Sequence, residues 1–309
     1  MLFLSILWNV VAPIFLIMVL GFVVQRGVGF DIRSLTKLNF WVFVPAFLFV
    51  KFVKSDLSGE QMGAIVAHFC VFFPLLGILT WWISGLLKMR DRLRRAFTAS
   101  VIFYNSGNYG VPVSKLAFGA TGESVQAIVI VLQNLTNFSI GLGLHAGARD
   151  ENQEAMSWRE QITAIGKMPM IYTFVAALLF RLAQWPIPAP VDHALTFLAD
   201  GLVPIALVTL GAQMATLKSY RFTGAMALTL FLRLAFAPLL GFAVVRLLRI
   251  EGEVGKLLIL STSFPTAVNA ALLAIEYENE PDYASAVVFY STIASAFSVS
   301  LVIFLLRIL

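Results

Sequence analysis

Apolar residues run through this chain in blocks of roughly twenty, separated by short polar turns, and do not alternate with polar positions along their length. Blocks of that length are what a helix needs to cross the hydrocarbon core of a bilayer. Ten such blocks occur, at roughly 5–25, 38–55, 62–87, 95–117, 123–147, 162–184, 193–216, 222–248, 254–276 and 284–308. They predict an all-α polytopic membrane protein with ten transmembrane helices. The one sizeable polar connector, Arg149 to Glu160, falls at the centre of the chain. It separates a first five-helix repeat over 1–148 and a second over 162–309, with a cytoplasmic connector over 149–161 between them.

Two blocks are interrupted. The fourth carries Tyr104-Asn105-Ser106-Gly107-Asn108-Tyr109-Gly110-Val111-Pro112, and the ninth carries Ser263-Phe264-Pro265-Thr266-Ala267-Val268-Asn269. Such segments leave backbone groups unpaired at membrane depth, and these must be met by protein, ligand or a water-filled cavity. The halves match elsewhere too. Pro-Leu-Leu-Gly recurs at 74–77 and 238–241, Pro45 corresponds to Pro204, and Pro13 to Pro169. With five spans in each half, the second copy enters from the opposite side, giving a 5+5 inverted repeat in which both fourth-in-half helices are broken.

Composition supports the membrane reading and removes other classes. Apolar residues make up 59% of the 309, charged residues 13%, and the mean hydropathy is +0.87. The first block lacks a basic leader and a small-residue cleavage site, so it is expected to be retained as a span. The single Cys70 excludes a disulfide framework, and His68, His145 and His193 are too scattered for a metal site. No cofactor is expected. The net charge of +5 needs no nucleic-acid partner, because basic loops beside the bilayer account for it. Loops after spans 1, 3, 5 and 7 hold thirteen Lys and Arg against eight on the other side. The positive-inside bias therefore places both termini outside the cytoplasm and the protein in a bacterial inner membrane. No Walker A sequence or nucleophile elbow occurs, so neither ATP hydrolysis nor acyl transfer has a home, and the chain is not read as an enzyme. Gly141, Gly143 and Gly147, like Gly59 and Gly63, are expected to serve close helix packing.

The candidate chemistry gathers at the two breaks, where half-helices meet near the midplane. The amino ends of half-helices carry partial positive charge and attract a carboxylate. Asn105, Asn108 and Asn269 add neutral donors and acceptors that hold an anion without fixing a charge, and Ser106, Gly107, Ser263 and Thr266 supplement them. The alternative is that these Asn side chains satisfy their own broken backbones, a role that can coexist with the first. Gly110, Pro112 and Pro265 shape the breaks. Gln133 and Asn137, four residues apart, share one face of the fifth span and line the same cavity or glue helices together. Arg233 in the eighth span costs ~2.5 to 3.5 kcal/mol at a helix centre and needs a partner. It has three possible roles: drawing in an organic anion, gating against an acid such as Asp200, or binding carbonyls freed by a broken helix. His68 is a proton relay or a packed histidine.

The fourth-span Asn105-x6-Pro112 with Gly110, the fifth-span Val131-Leu132-Gln133, and the ninth-span Pro265 followed by Ala274-Ile275-Glu276-Tyr277 and Pro281-Asp282 together resemble the auxin efflux carrier family of permeases. That family includes the plant PIN-formed exporters and bacterial homologues. The resemblance covers all ten spans and implies a fold similar to sodium/proton antiporters, with two crossing broken helices in a transport domain beside a scaffold of spans 1, 2, 6 and 7. Spans 3–5 and 8–10 then move as an elevator-type transport domain. It also implies that Gln133 lines the substrate pocket, that the protein is a homodimer through its scaffold, and that substrates are carboxylates such as malate, malonate or an auxin-like indole acid. The expected function is thus a secondary active transporter of small organic anions. A sodium-coupled symporter resembling bile acid carriers, and a membrane sensor that binds without transport, are the alternatives.

Overall fold

The computed structural model describes residues 1–146, 163, 166–216 and 222–308. It is all-helical: apart from one isolated bridge between Tyr104 and Thr266, the described residues contain no strand. The helices are α1 (Leu2–Gly27), α2 (Ile32–Val53), α3 (Gly59–Leu86), α4 (Asp91–Ile102) and α5 (Ser106–His145), then α6 (Pro169–Ala183), α7 (Ala189–Thr216) and α8 (Gly224–Leu247), and finally α9 (Gly252–Thr262), α10 (Val268–Glu276) and α11 (Pro281–Ile308). Seven of these, α1, α2, α3, α5, α7, α8 and α11, are long and apolar enough to cross a membrane. The predicted connector over 149–161 lies outside the described residues, as do Arg149, Arg159, Lys218 and Arg221 of the charge count.

The predicted fourth and ninth spans come in two pieces each. α4 stops at Ile102 and helix resumes at Ser106, while α9 stops at Thr262 and α10 starts at Val268. The 40-residue α5 is itself two helices, because Gly119 sits at φ +61° and ψ −140° in its middle. Only glycine reaches that conformation without strain. Gly122 follows within hard contact of the preceding helix, since a Cβ there would lie 2.2 Å from the Ser114 carbonyl oxygen.

Proline punctuates the helices in a regular way. Wide π-turns occupy Leu7–Val11, Asn39–Phe43, Ser106–Gly110 and Leu232–Phe236, and each is followed two residues later by a proline, at 13, 45, 112 and 238. A proline has no N–H for the carbonyl four residues back, and its ring clashes with that carbonyl. Widening the preceding turn by one residue relieves the clash, and π-turns of this kind gather at functional sites. A fifth, at Asn137–Gly141, has no proline behind it.

Packing is closest within two groups, which meet where α1 touches α11 and where α2 and α7 touch α5. α1 lies along α7, and α2 packs on both α6 and α7. The α1–α7 contact is backbone on backbone: a Cβ at Gly211 would stand 1.9 Å from the Met18 carbonyl oxygen, and one at Gly21 2.3 Å from that of Val208. In the other group α3 packs on α4, α5 and α8, α8 on α9, and α10 and α4 on α11. The glycines that the sequence marks for close packing behave otherwise, because Gly59, Gly63 and Gly143 have open space where a Cβ would go. Gly141 is the exception, 3.0 Å from the Phe103 ring by the same measure. Gly147 lies outside the described residues.

Candidate functional site

The two interruptions meet. The Asn105 amide donates to the Pro265 carbonyl at 2.8 Å and the Ala267 amide to the Phe103 carbonyl at 2.9 Å, which pairs Tyr104 with Thr266 in an antiparallel bridge. Backbone groups released by two broken helices thus satisfy one another, as a dry environment requires. Gly110 permits the close approach, because a Cβ there would fall 2.5 Å from the Phe264 ring, and Tyr109 packs edge-on against the same ring at 6.0 Å. Pro112 follows the π-turn at the start of the resumed helix, and Pro265 supplies the carbonyl that Asn105 uses.

The carboxyl ends of α4 and α9 converge on Arg233. Its guanidinium donates through Nη1 to the Val101 carbonyl at 2.6 Å and through Nη2 to the Thr262 carbonyl, and lies over the Tyr104 ring at 5.1 Å. It is the largest fully buried side chain among the described residues. A cation here offsets the partial negative charge of two helix ends at once. Of the three sequence readings, Arg233 occupies the carbonyl-binding one, with no carboxylate in ion-pair distance among the described residues.

The amino ends of the resumed helices, 105–108 and 267–269, line a cavity of about 90 Å³. Asn105 caps the first by accepting the Asn108 amide on its Oδ1 at 3.2 Å. Gln133 and Asn137 face the same space from the second part of α5, a placement that follows from their shared helical face. Seven of the sequence-predicted residues therefore come together: Asn105, Ser106, Gly107, Asn108, Gln133, Asn137 and Asn269. Two do not. Ser263 donates back to the Leu260 carbonyl at 2.6 Å, and Thr266 donates to the Ser100 carbonyl at 2.8 Å, so both stitch the crossing instead of lining the cavity.

Sequence reasoning missed the opposite wall, where α2 contributes Thr36, Asn39 and Phe40, and Met170 begins α6. Asn39 donates to the Asn108 side-chain oxygen at 3.1 Å, bridging α2 to the broken helix. The available signal was Pro45, whose π-turn starts at Asn39. His68 is buried on α3, stacked on Phe72 at 5.5 Å, and Asp200 is exposed on α7; neither lines the cavity. No Asp, Glu, Lys, Arg or His does, among the described residues. A second ionic feature lies at the start of the fifth span, where Glu123 pairs with Lys51 of α2 at 2.9 Å and with Lys115 at 3.0 Å.

A family model described as membrane transport protein matches residues 6–168 and again 154–303. The chain belongs to this family, that of the auxin efflux carriers. Its members are membrane transporters, not enzymes, and the chain is an integral membrane protein. Over 88% of both chains it is 28% identical to an uncharacterized transporter of Methanothermobacter thermautotrophicus. A putative malonate transporter of Rhizobium meliloti is 22% identical over 97% of this chain and 95% of its own. Auxin efflux carrier component 8 of Arabidopsis thaliana is 30% identical over 76% of this chain and 75% of its own.

Proposed function

We propose that this membrane transporter is a secondary carrier of small organic anions, operating by alternating access. The observation that carries the reading is the cavity itself: six polar side chains and Gly107, drawn from two broken helices and the fifth span, converge on one space at two helix amino ends, and among the described residues no ionised side chain lines it. Amino ends attract a carboxylate through roughly half a charge each, so they bind an anion and still release it. The size narrows the class. About 90 Å³ lies far below the roughly 300 to 1,000 Å³ of pockets for drug-sized ligands, which favours a three- or four-carbon acid over an indole acid. A malonate-like dicarboxylate, the substrate class in the name of the Rhizobium relative, fits that limit.

The half-helices, joined end to end, complete ten passes in a 5+5 arrangement. The two packing groups support an elevator, with α1, α2, α6 and α7 as scaffold and α3–α5 with α8–α11 as the moving part, and the bias of Lys and Arg between alternate loops supports termini outside the cytoplasm. Flux of radiolabelled malonate into proteoliposomes tests the site. Asn105→Ala combined with Asn269→Ala is expected to lower it at least tenfold, about 1.4 kcal/mol or more. Undiminished flux in that double variant removes the cavity as the route.

A further inference from the structure

Four residues lining the cavity are more than nine-tenths buried and each keeps one polar atom without a hydrogen-bond partner. They are the side-chain nitrogens of Asn105 and Gln133 and the side-chain oxygens of Asn39 and Asn137. For two of them the orientation follows from bonds already made. Asn105 uses its oxygen to cap the broken helix, which leaves its NH2 group as a donor. Asn39 uses its nitrogen on Asn108, which leaves its oxygen as an acceptor. The fixed part of the open set is therefore one donor, at Asn105, and one acceptor, at Asn39.

A carboxylate only accepts hydrogen bonds, whereas a carboxylic acid or a primary amide also donates. A dianion meets the Asn105 donor with one carboxylate and then turns lone pairs of the other toward the Asn39 oxygen, where an O–H or N–H group would instead form a hydrogen bond. A monoanion with an O–H or N–H group satisfies both halves of the set. We propose that the cavity selects an acid bearing one carboxylate and one hydrogen-bond donor, so that a short dicarboxylate enters singly protonated, and that Asn39 is the residue that enforces the distinction. The inference rests on the organic-anion reading above. Its consequence is that a proton crosses the membrane on the substrate, and no side chain needs to titrate to carry it. The surroundings leave that part to the substrate: the Tyr104 phenol is the titratable group in the lining, and Arg233 sits behind it on helix carbonyls. Lys37, beside Thr36 on α2, is exposed, and Lys51, Lys115 and Glu123 pair with one another about 15 Å along the fifth span from Gln133.

Calorimetric titration of the purified full-length protein with three ligands decides the matter: malonate, its half-amide malonamate, and its half-ester monomethyl malonate. Malonamate keeps a carboxylate and an N–H donor at every pH near neutral, while the half-ester has the carboxylate and no donor. Malonamate is expected to bind about tenfold tighter than the half-ester, the worth of one buried hydrogen bond. Malonate affinity, referred to total malonate, rises as pH falls toward its second pKa, while malonamate affinity stays level. In Asn39→Leu the advantage of malonamate over the half-ester shrinks toward unity, a ratio that a general loss of folded protein does not change. Equal binding of the two half-derivatives, or malonate affinity that climbs with pH, overturns the proposal and leaves the carboxylate site standing. Failure of all three to bind removes the organic-anion reading beneath it.

Discussion

The two sides of the helix crossing are built from the same parts and used in opposite ways. Where α4 and α9 end, a full positive charge, Arg233, is buried against the carbonyls of Val101 and Thr262. Where helix resumes at Ser106 and Val268, the cavity is left with amide groups and the partial charge of helix amino ends. Permanent charge thus holds the backbone together, and partial charge faces the cavity. The division makes physical sense, because a fixed cation in a dry cavity would hold an anion firmly, whereas Arg233 has both terminal nitrogens engaged by the carbonyls of two helix ends.

The comparison breaks if the two sides trade roles, and variants at each test this. The largest effect is expected from Arg233→Met, which removes the donor shared by two helix ends and leaves their carbonyls unmatched at a cost of about 3 kcal/mol. Thermal unfolding in detergent should show the loss, and a variant as stable as the parent but unable to bind malonate would move Arg233 to the solute side. Next is Gly110→Ala, whose new methyl enters the Phe264 ring and costs about 1 to 3 kcal/mol. Combining it with Phe264→Leu should recover part of that loss in a double-mutant cycle, and simple additivity would deny the contact. The smallest effect belongs to Thr266→Val, about 1 kcal/mol from one lost bond to the Ser100 carbonyl. Because Thr266 lies off the cavity, ligand affinity measured by calorimetry should stay at the parent value; a clear drop would return it to the solute side.

Sequence alone located the helical blocks because a bilayer imposes a length, and located both breaks because Gly, Asn and Pro gather where helix cannot continue. It placed Asn105, Asn108, Gln133 and Asn269 together because a broken helix and a shared helical face are local properties. It misplaced Ser263 and Thr266 for a related reason: an unwound segment has no period, so nothing in the sequence says which side chains turn inward. Asn39 escaped because its partner Asn108 lies 69 residues away and its position at the edge of the second block reads as an ordinary polar end. The contact of Gly21 and Gly211 with the opposite backbone was equally hidden, since open and crowded glycines look alike until two helices are laid together.

The short ladder through Tyr104 and Thr266 also bears on how the protein is made. Phe103 and Asn105 belong to a segment inserted early, yet the backbone groups they bond, at Ala267 and Pro265, are synthesised about 160 residues later. At ribosomal rates of about 5 to 20 residues per second, the first half waits roughly ten to thirty seconds with its broken helix unpaired. During that interval the insertion machinery or a chaperone has to shelter the exposed peptide groups from lipid. A stall in the second half, or a truncated message, therefore yields a product whose flaw is already in place at residue 103, a ready mark for membrane quality control.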